Sequence, residues 1–172
     1  SMNGKIIVIA ILLSSLVAGI ALYYLQVYGF YEPVTEQDVQ LVSIVSDKPE
    51  PISFVTFEAI DADSSPIRYR ACFTTNLSLA MLSETYVGLA EATPRNAPGW
   101  FDCFDARAIA TELAAGTALP FLGQKNIAFG VDRIVAITKD GRGYVWHELN
   151  DCGEKAYDGT IVGEECPKRD TE

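Results

Sequence analysis

A chain of 172 residues, 49% hydrophobic and with a formal charge of −10 at pH 7, is the size of a single domain. That charge would repel nucleic acid and anionic lipid, so neither is expected as a partner. Four cysteines and one histidine leave no cluster of soft ligands for zinc or copper: His147 lies five residues before Cys152, which fits no familiar ligand set.

Ser1 ahead of Met2 reads as a cloning remnant, so the natural chain is expected to begin at Met2. After Lys5 comes IIVIAILLSSLVAGIALYYLQVYGFY, uncharged from residue 6 to 31. A helix of that length would run roughly 39 Å, more than the hydrocarbon core of a bilayer. Tyr23, Tyr24, Tyr28, Phe30 and Tyr31 gather at its far end, where amphipathic rings favour the headgroup layer. The apolar core of a cleavable signal peptide is shorter, so a retained transmembrane anchor over 1–31 is expected. Ser15 and Gly19 stand at small-xxx-small spacing and offer a membrane-packing face. Lys5 on the inner side would leave the rest of the chain outside. Lys5 is also the only charge before Glu32, so residues 32–172 alone carry −11.

EPVTEQDVQ (32–40) reads as a polar connector in which Pro33 stops the membrane helix. LVSIV (41–45), ISFVTFEAI (52–60) and IRYRACFTT (67–75) read as strands, the last two joined by the turn DADSSP (61–66). Asn76 is placed to cap a helix running through NLSLAMLSETYVGLA, and Asn76-Leu77-Ser78 also spells a glycosylation sequon. TPRNAPGW (93–100) is a loop. A second helix is expected from about Phe104 to Ala115, with Asp102 and Asp105 as caps and Gly116 closing it. NIAFGVDRIVAITKDGRGYVWHEL contains two strands turned at Asp140-Gly141, a hairpin signal. The tail from Asn150 is polar. The sum is an α+β domain over 41–149, with a mostly antiparallel sheet and both helices on one face. An acidic tail follows over 150–172.

On the outer side of a membrane the cysteines are expected as disulfides. Cys72, Cys103, Cys152 and Cys166 permit three pairings. Cys72–Cys103 with Cys152–Cys166 is favoured, since the second pair closes a short loop, worth about 3 kcal/mol of chain entropy, in a tail without core-forming residues.

No catalytic constellation stands out. There is no C-x-x-C, no G-x-S-x-G elbow and no phosphate-binding glycine pattern, and Asp61-Ala62-Asp63 lacks the rest of a calcium loop. No cofactor is expected. His147, beside Trp146, reads as a packed strand residue. Arg68, Arg70, Arg133 and Arg142 fall on predicted strands and are the candidates for contact with a ligand or partner.

The segments YYLQVYGFYE, IDADSSPIRYRACFTT, APGWFDCFDA and DGRGYVWHELNDCGE resemble a small family of single-span membrane-anchored proteins of Rhodobacter-like alphaproteobacteria. Some of its members are labelled histidine kinases, but this chain has no glycine-box ATP site. The resemblance implies the periplasmic face of a bacterial inner membrane. The expected function is a non-catalytic accessory or assembly subunit of a larger respiratory or photosynthetic membrane complex. Its acidic domain would suit a basic periplasmic partner such as a cytochrome c. The alternatives are a periplasmic ligand-binding or sensory module and a pilin-like structural subunit, though the pilin junction is absent.

Overall fold

The computed structural model describes residues 2–35 and 37–169. The chain divides into two units, Ser1–Tyr31 and Glu32–Glu172. In the first, α1 (Met2–Tyr24) continues into a π-helical turn, Leu25–Gly29. Asn3–Gly29 is 27 residues long and contains an 18-residue window of mean hydropathy 2.7 with none of that window buried, so it is a candidate membrane anchor or signal sequence. The helix ends at Gly29, ahead of Pro33, and so needs no proline to stop it.

The second unit is built on a six-stranded antiparallel sheet in the order β1-β4-β5-β8-β7-β6. Its strands are β1 (Glu32–Val34), β4 (Thr56–Asp61), β5 (Arg70–Thr74), β6 (Ala118–Ala128), β7 (Val131–Thr138) and β8 (Arg142–Leu149). β2 (Gln40–Val42) and β3 (Pro49–Pro51) form a separate pair. Three of these strands escape the sequence reading, among them β3, which pairs within a DKPEP stretch that reads as a break. The start of the supposed connector is β1, and Pro33 fits there because an edge strand can do without one ladder donor. β6 reaches back to Ala118, through Pro120 and Gly123, on the other edge.

Three expected strands are shorter than predicted, IRYRACFTT pairing only over Arg70–Thr74. LVSIV pairs only as far as Val42, with Ser43 in an isolated bridge to Tyr86, and Ile44 and Val45 are exposed. β4 starts at Thr56, four residues later than the alternation suggests.

Strand alternation gives the sheet two faces, and both are covered. Ala59, Ala71, Phe73, Val135, Ile137 and Val145 form the main core with Val39, Leu41 and Ile52 from the β2–β3 region, and with Leu82 and Tyr86. Leu82 belongs to α2 (Leu79–Thr85), whose cap is Ser78, accepting from Met81 N at 3.3 Å, rather than Asn76. On the opposite face Trp146, fully buried, and Tyr144 meet the edge of the Phe104 ring. There α3 (Ala106–Ala114) buries Ile109, with Asp105 as its cap. The two helices therefore lie on opposite faces of the sheet. The correction has a simple cause: helical spacing shows that a face is apolar but not which side of a sheet it covers.

The β7–β8 hairpin turns through Lys139-Asp140-Gly141, with Gly141 at φ +87° and its N–H donating to Thr138 O. Positive φ there is what the aspartate–glycine signal predicts.

Candidate functional site

Both disulfides form as favoured, Cys72–Cys103 with Cα atoms 6.2 Å apart and Cys152–Cys166 at 4.8 Å. Among the described residues no cysteine is free and no group of acidic, cysteine and histidine side chains is arranged to hold a metal ion.

The Cys72–Cys103 bond is one of several fastenings that hold residues 93–105 across the sheet. Glu148 Oε1 accepts from Thr93 N at 2.6 Å and from the Trp146 indole at 2.7 Å. Arg70, 5% exposed, holds the middle of the strap. Its Nε donates to Arg95 O at 3.1 Å and its Nη2 to Asn96 O at 2.9 Å, while Nη1 donates to Ile67 O and Tyr69 O at 2.7 and 2.6 Å. Its guanidinium also stands 5.8 Å from the Phe104 ring centre. Arg70 is a clamp for its own chain, committed to four carbonyls.

The four candidate arginines do not share a face. Arg68 lies half-buried in the turn before β5, where its N–H donates to Ser65 O. Arg142, next to the β7–β8 turn, bonds Asp140 at 2.9 Å, Glu112 of α3 at 2.8 Å and the Tyr144 hydroxyl at 3.0 Å. The bond from Arg142 first, and that from the Thr138 hydroxyl second, hold the exposed Asp140 carboxyl down to about 2. Arg133 is on the main-core face, paired across strands with His147.

Arg133, His147 and Tyr69 form a stack. The imidazole lies over the phenol ring at 5.0 Å between centres, and the Arg133 guanidinium stands 4.5 Å from the same ring. Arg133 Nε donates to His147 Nε2 at 3.0 Å, so that nitrogen is the acceptor and the proton is on Nδ1, 2.6 Å from Pro66 O. Burial pushes the imidazole down to about 4, with Arg133 and Arg70 adding to the effect against the Pro66 bond. His147 is thus neutral at physiological pH with both ring nitrogens engaged. Burial also raises the Tyr69 phenol, against the pull of Arg133.

The Nη1 and Nη2 groups of Arg133 make no hydrogen bond among the described residues. Arg133 and His147 line a cleft of about 350 Å³ with Asp61, Asp63, Ser65 and Ala128. Arg142 lines a second cleft of about 310 Å³ with Thr56, Glu58 and Tyr144, but there its guanidinium is already bonded to Asp140 and Glu112. The signal for the pairing was present: counting back from the Asp140-Gly141 turn brings Arg133 opposite His147.

The tail is held by a second polar cluster that the sequence reading missed. Asp132, 7% exposed, accepts from Asn126 N and Asn150 Nδ2 at 2.9 Å each and from Lys125 Nζ at 2.7 Å. Lys125 also reaches Glu164 at 2.5 Å. Partial burial works against the ammonium, but the Asp132 and Glu164 carboxylates outweigh it and raise its pKa. Ser15 and Gly19 are exposed one turn apart on α1, with the Ser15 hydroxyl bonded back to Ile11 O.

These features define an α+β domain carrying two disulfides behind an exposed apolar helix. Residues 39–167 match a family of unknown function, DUF6446, and the chain belongs to that family. No curated protein and no solved structure matches it.

Proposed function

We propose that this chain is a single-span accessory protein of a bacterial inner membrane. Its N-terminus is cytoplasmic and its acidic domain is periplasmic, where it docks to a larger membrane complex and helps assemble it. The carrying observation is the apolar helix Asn3–Gly29, long enough to cross a bilayer and with none of its most apolar 18 residues buried. Three further observations support the reading. Lys5, in the first turn of that helix, is the only charged side chain before Glu32, which favours a cytoplasmic N-terminus. Disulfides belong to an oxidising compartment. A charge of −11 on residues 32–172 suits a basic periplasmic partner such as a cytochrome c, through electrostatic steering. Purification from native membranes in mild detergent, followed by mass spectrometry, tests the proposal. The same partner subunits should recur across preparations, and a chain that always migrates alone would refute it.

The Arg133 cleft favours a second reading, a periplasmic ligand-binding module. With Arg133 on one wall and Asp61 and Asp63 among its lining residues, the cleft suits a small zwitterion that offers a carboxylate to the guanidinium and an ammonium to the aspartates. Saturation-transfer NMR with a pool of free amino acids would detect such binding, and Arg133→Gln should abolish it.

A further inference from the structure

The register of the sheet places its point of entry. Glu32, the residue directly after Tyr31, pairs with Asp61 at the end of β4. Ile60 pairs with Arg70 at the start of β5, and Arg70 with Trp146 near the end of β8. Leu149 pairs with Val131, which pairs in turn with Ala128. The chain therefore enters the sheet at the same end where β4, β6 and β8 finish.

That end carries exposed apolar side chains. Phe129 in the β6–β7 turn is 44% exposed and Leu149 is 62% exposed. The loop that rises from Leu149 adds Ile161 at 65%, Val162 at 60% and a fully exposed Tyr157. The loop is a defined hairpin: Ala156 N donates to Thr160 O at 2.8 Å, Gly159 N to Ala156 O at 2.9 Å, and Lys155 bridges to Ile161. The Cys152–Cys166 bond closes its base, and the Lys125–Glu164 pair fastens it to β6. Holding a tyrosine at the tip of a stapled hairpin removes most of the entropic cost of presenting it. The other end of the sheet shows Lys139, Asp140 and Arg142, with Val55 as an exposed aliphatic.

We propose that the Glu32 end of the sheet, with Tyr157 at the tip of its hairpin, rests in the headgroup layer of the membrane entered by the N-terminal helix. The inference builds on the anchor reading above. Lipid is the occupant because the chain reaches this end with no spacer: Tyr31 closes the run of interfacial tyrosines and Glu32 is already in β1. A ring with a polar hydroxyl and two aliphatic neighbours matches the chemistry of the interface, where tyrosine concentrates. The acidic flanks Asp151, Glu154, Asp158 and Glu165 select zwitterionic over anionic headgroups.

The test uses the full chain in phosphatidylcholine vesicles whose acyl chains carry bromine near the headgroup, a short-range quencher of tryptophan. Tyr157→Trp and Ile161→Trp place a reporter on the hairpin, and Lys139→Trp places one at the far end. Flotation with the vesicles tests the anchor separately. Quenching of the added tryptophan at 157 or 161 about twofold beyond that at 139 is expected, since the interface holds rings shallowly. If the protein floats and the three reporters quench alike, the docking proposal is overturned and the anchor reading stands. If it does not float, both fall. Tyr157 unquenched in vesicles but shielded in native membranes would assign the tip to a protein partner and equally overturn the proposal.

Discussion

Arg133 donates from Nε to Nε2 of His147 at 3.0 Å, and that bond decides what the histidine does. An imidazole that accepts on one nitrogen and donates to Pro66 O from the other has no lone pair left for a metal and none to take a proton from a substrate. A protonated ring would bring two N–H groups face to face, one of them on a guanidinium. The same pairing leaves Arg133 fixed along one edge with its other donors toward the cleft.

The neutrality of His147 makes stability depend on pH. Its folded value of about 4 lies below the 6.5 of the free side chain. Between those values the unfolded chain binds a proton that the folded chain refuses, so stability is lost as pH falls from 6.5 toward 4. The loss is about 3 kcal/mol, and His147→Asn, which keeps a donor near Pro66 O, should flatten it. Urea unfolding at pH 7, 5.5 and 4.5 measures the slope for both proteins. Asp140 titrates near 2, below this window.

Arg70→Met should destabilise the domain by several kcal/mol, because it leaves buried carbonyls without donors. Arg70→Lys should recover only part of this, since one ammonium cannot span carbonyls on both the strap and the strand. Thermal unfolding of the two variants checks the order.

The two disulfides should differ in consequence. Cys72–Cys103 ties a central strand to the strap across a separation of 31 residues, and its double serine variant should lose about 4 kcal/mol. Cys152–Cys166 spans 14 residues in a tail that Asp132 and Lys125 also hold, so its loss should mainly be local. Limited proteolysis should then cut within 155–161 while the melting temperature changes little.

A methyl group at Gly143 would fall 2.0 Å from the Phe73 ring in the cross-strand position. Gly143→Ala should therefore cost about 1–3 kcal/mol through displaced packing. Combining it with Phe73→Leu should recover part of the loss, a coupling measurable by a double-mutant cycle.

Much of the frame is legible in the residues. The Asp140-Gly141 turn, the caps at Asp105 and Gly116, and the favoured cysteine pairing each carry a local signal that nothing in the fold opposes. β1 and β6 are harder to see because Pro33, Pro120 and Gly123 interrupt them, and only the edge position makes those residues tolerable. The arginines show a different limit. Alternation correctly sets Arg70 opposite Ala71, but the face it joins is covered by the strap at 93–105, which has no periodicity to announce it. Whether a strand face is wet depends on a segment remote in the chain.

β1 gives the domain an adjustable reach. While its three pairs with β4 hold, Glu32 is both the first residue past Tyr31 and a member of the sheet, so the leash has no slack. If this edge strand peels away, the chain up to Val39, which stays buried in the core, becomes free contour of roughly 24 Å. The cost is a few edge hydrogen bonds, each worth about 1 kcal/mol, and the packing of Val34 against the core. On the anchor reading proposed above, a partner that competes for the edge of β4 would thereby widen the radius over which the domain can search.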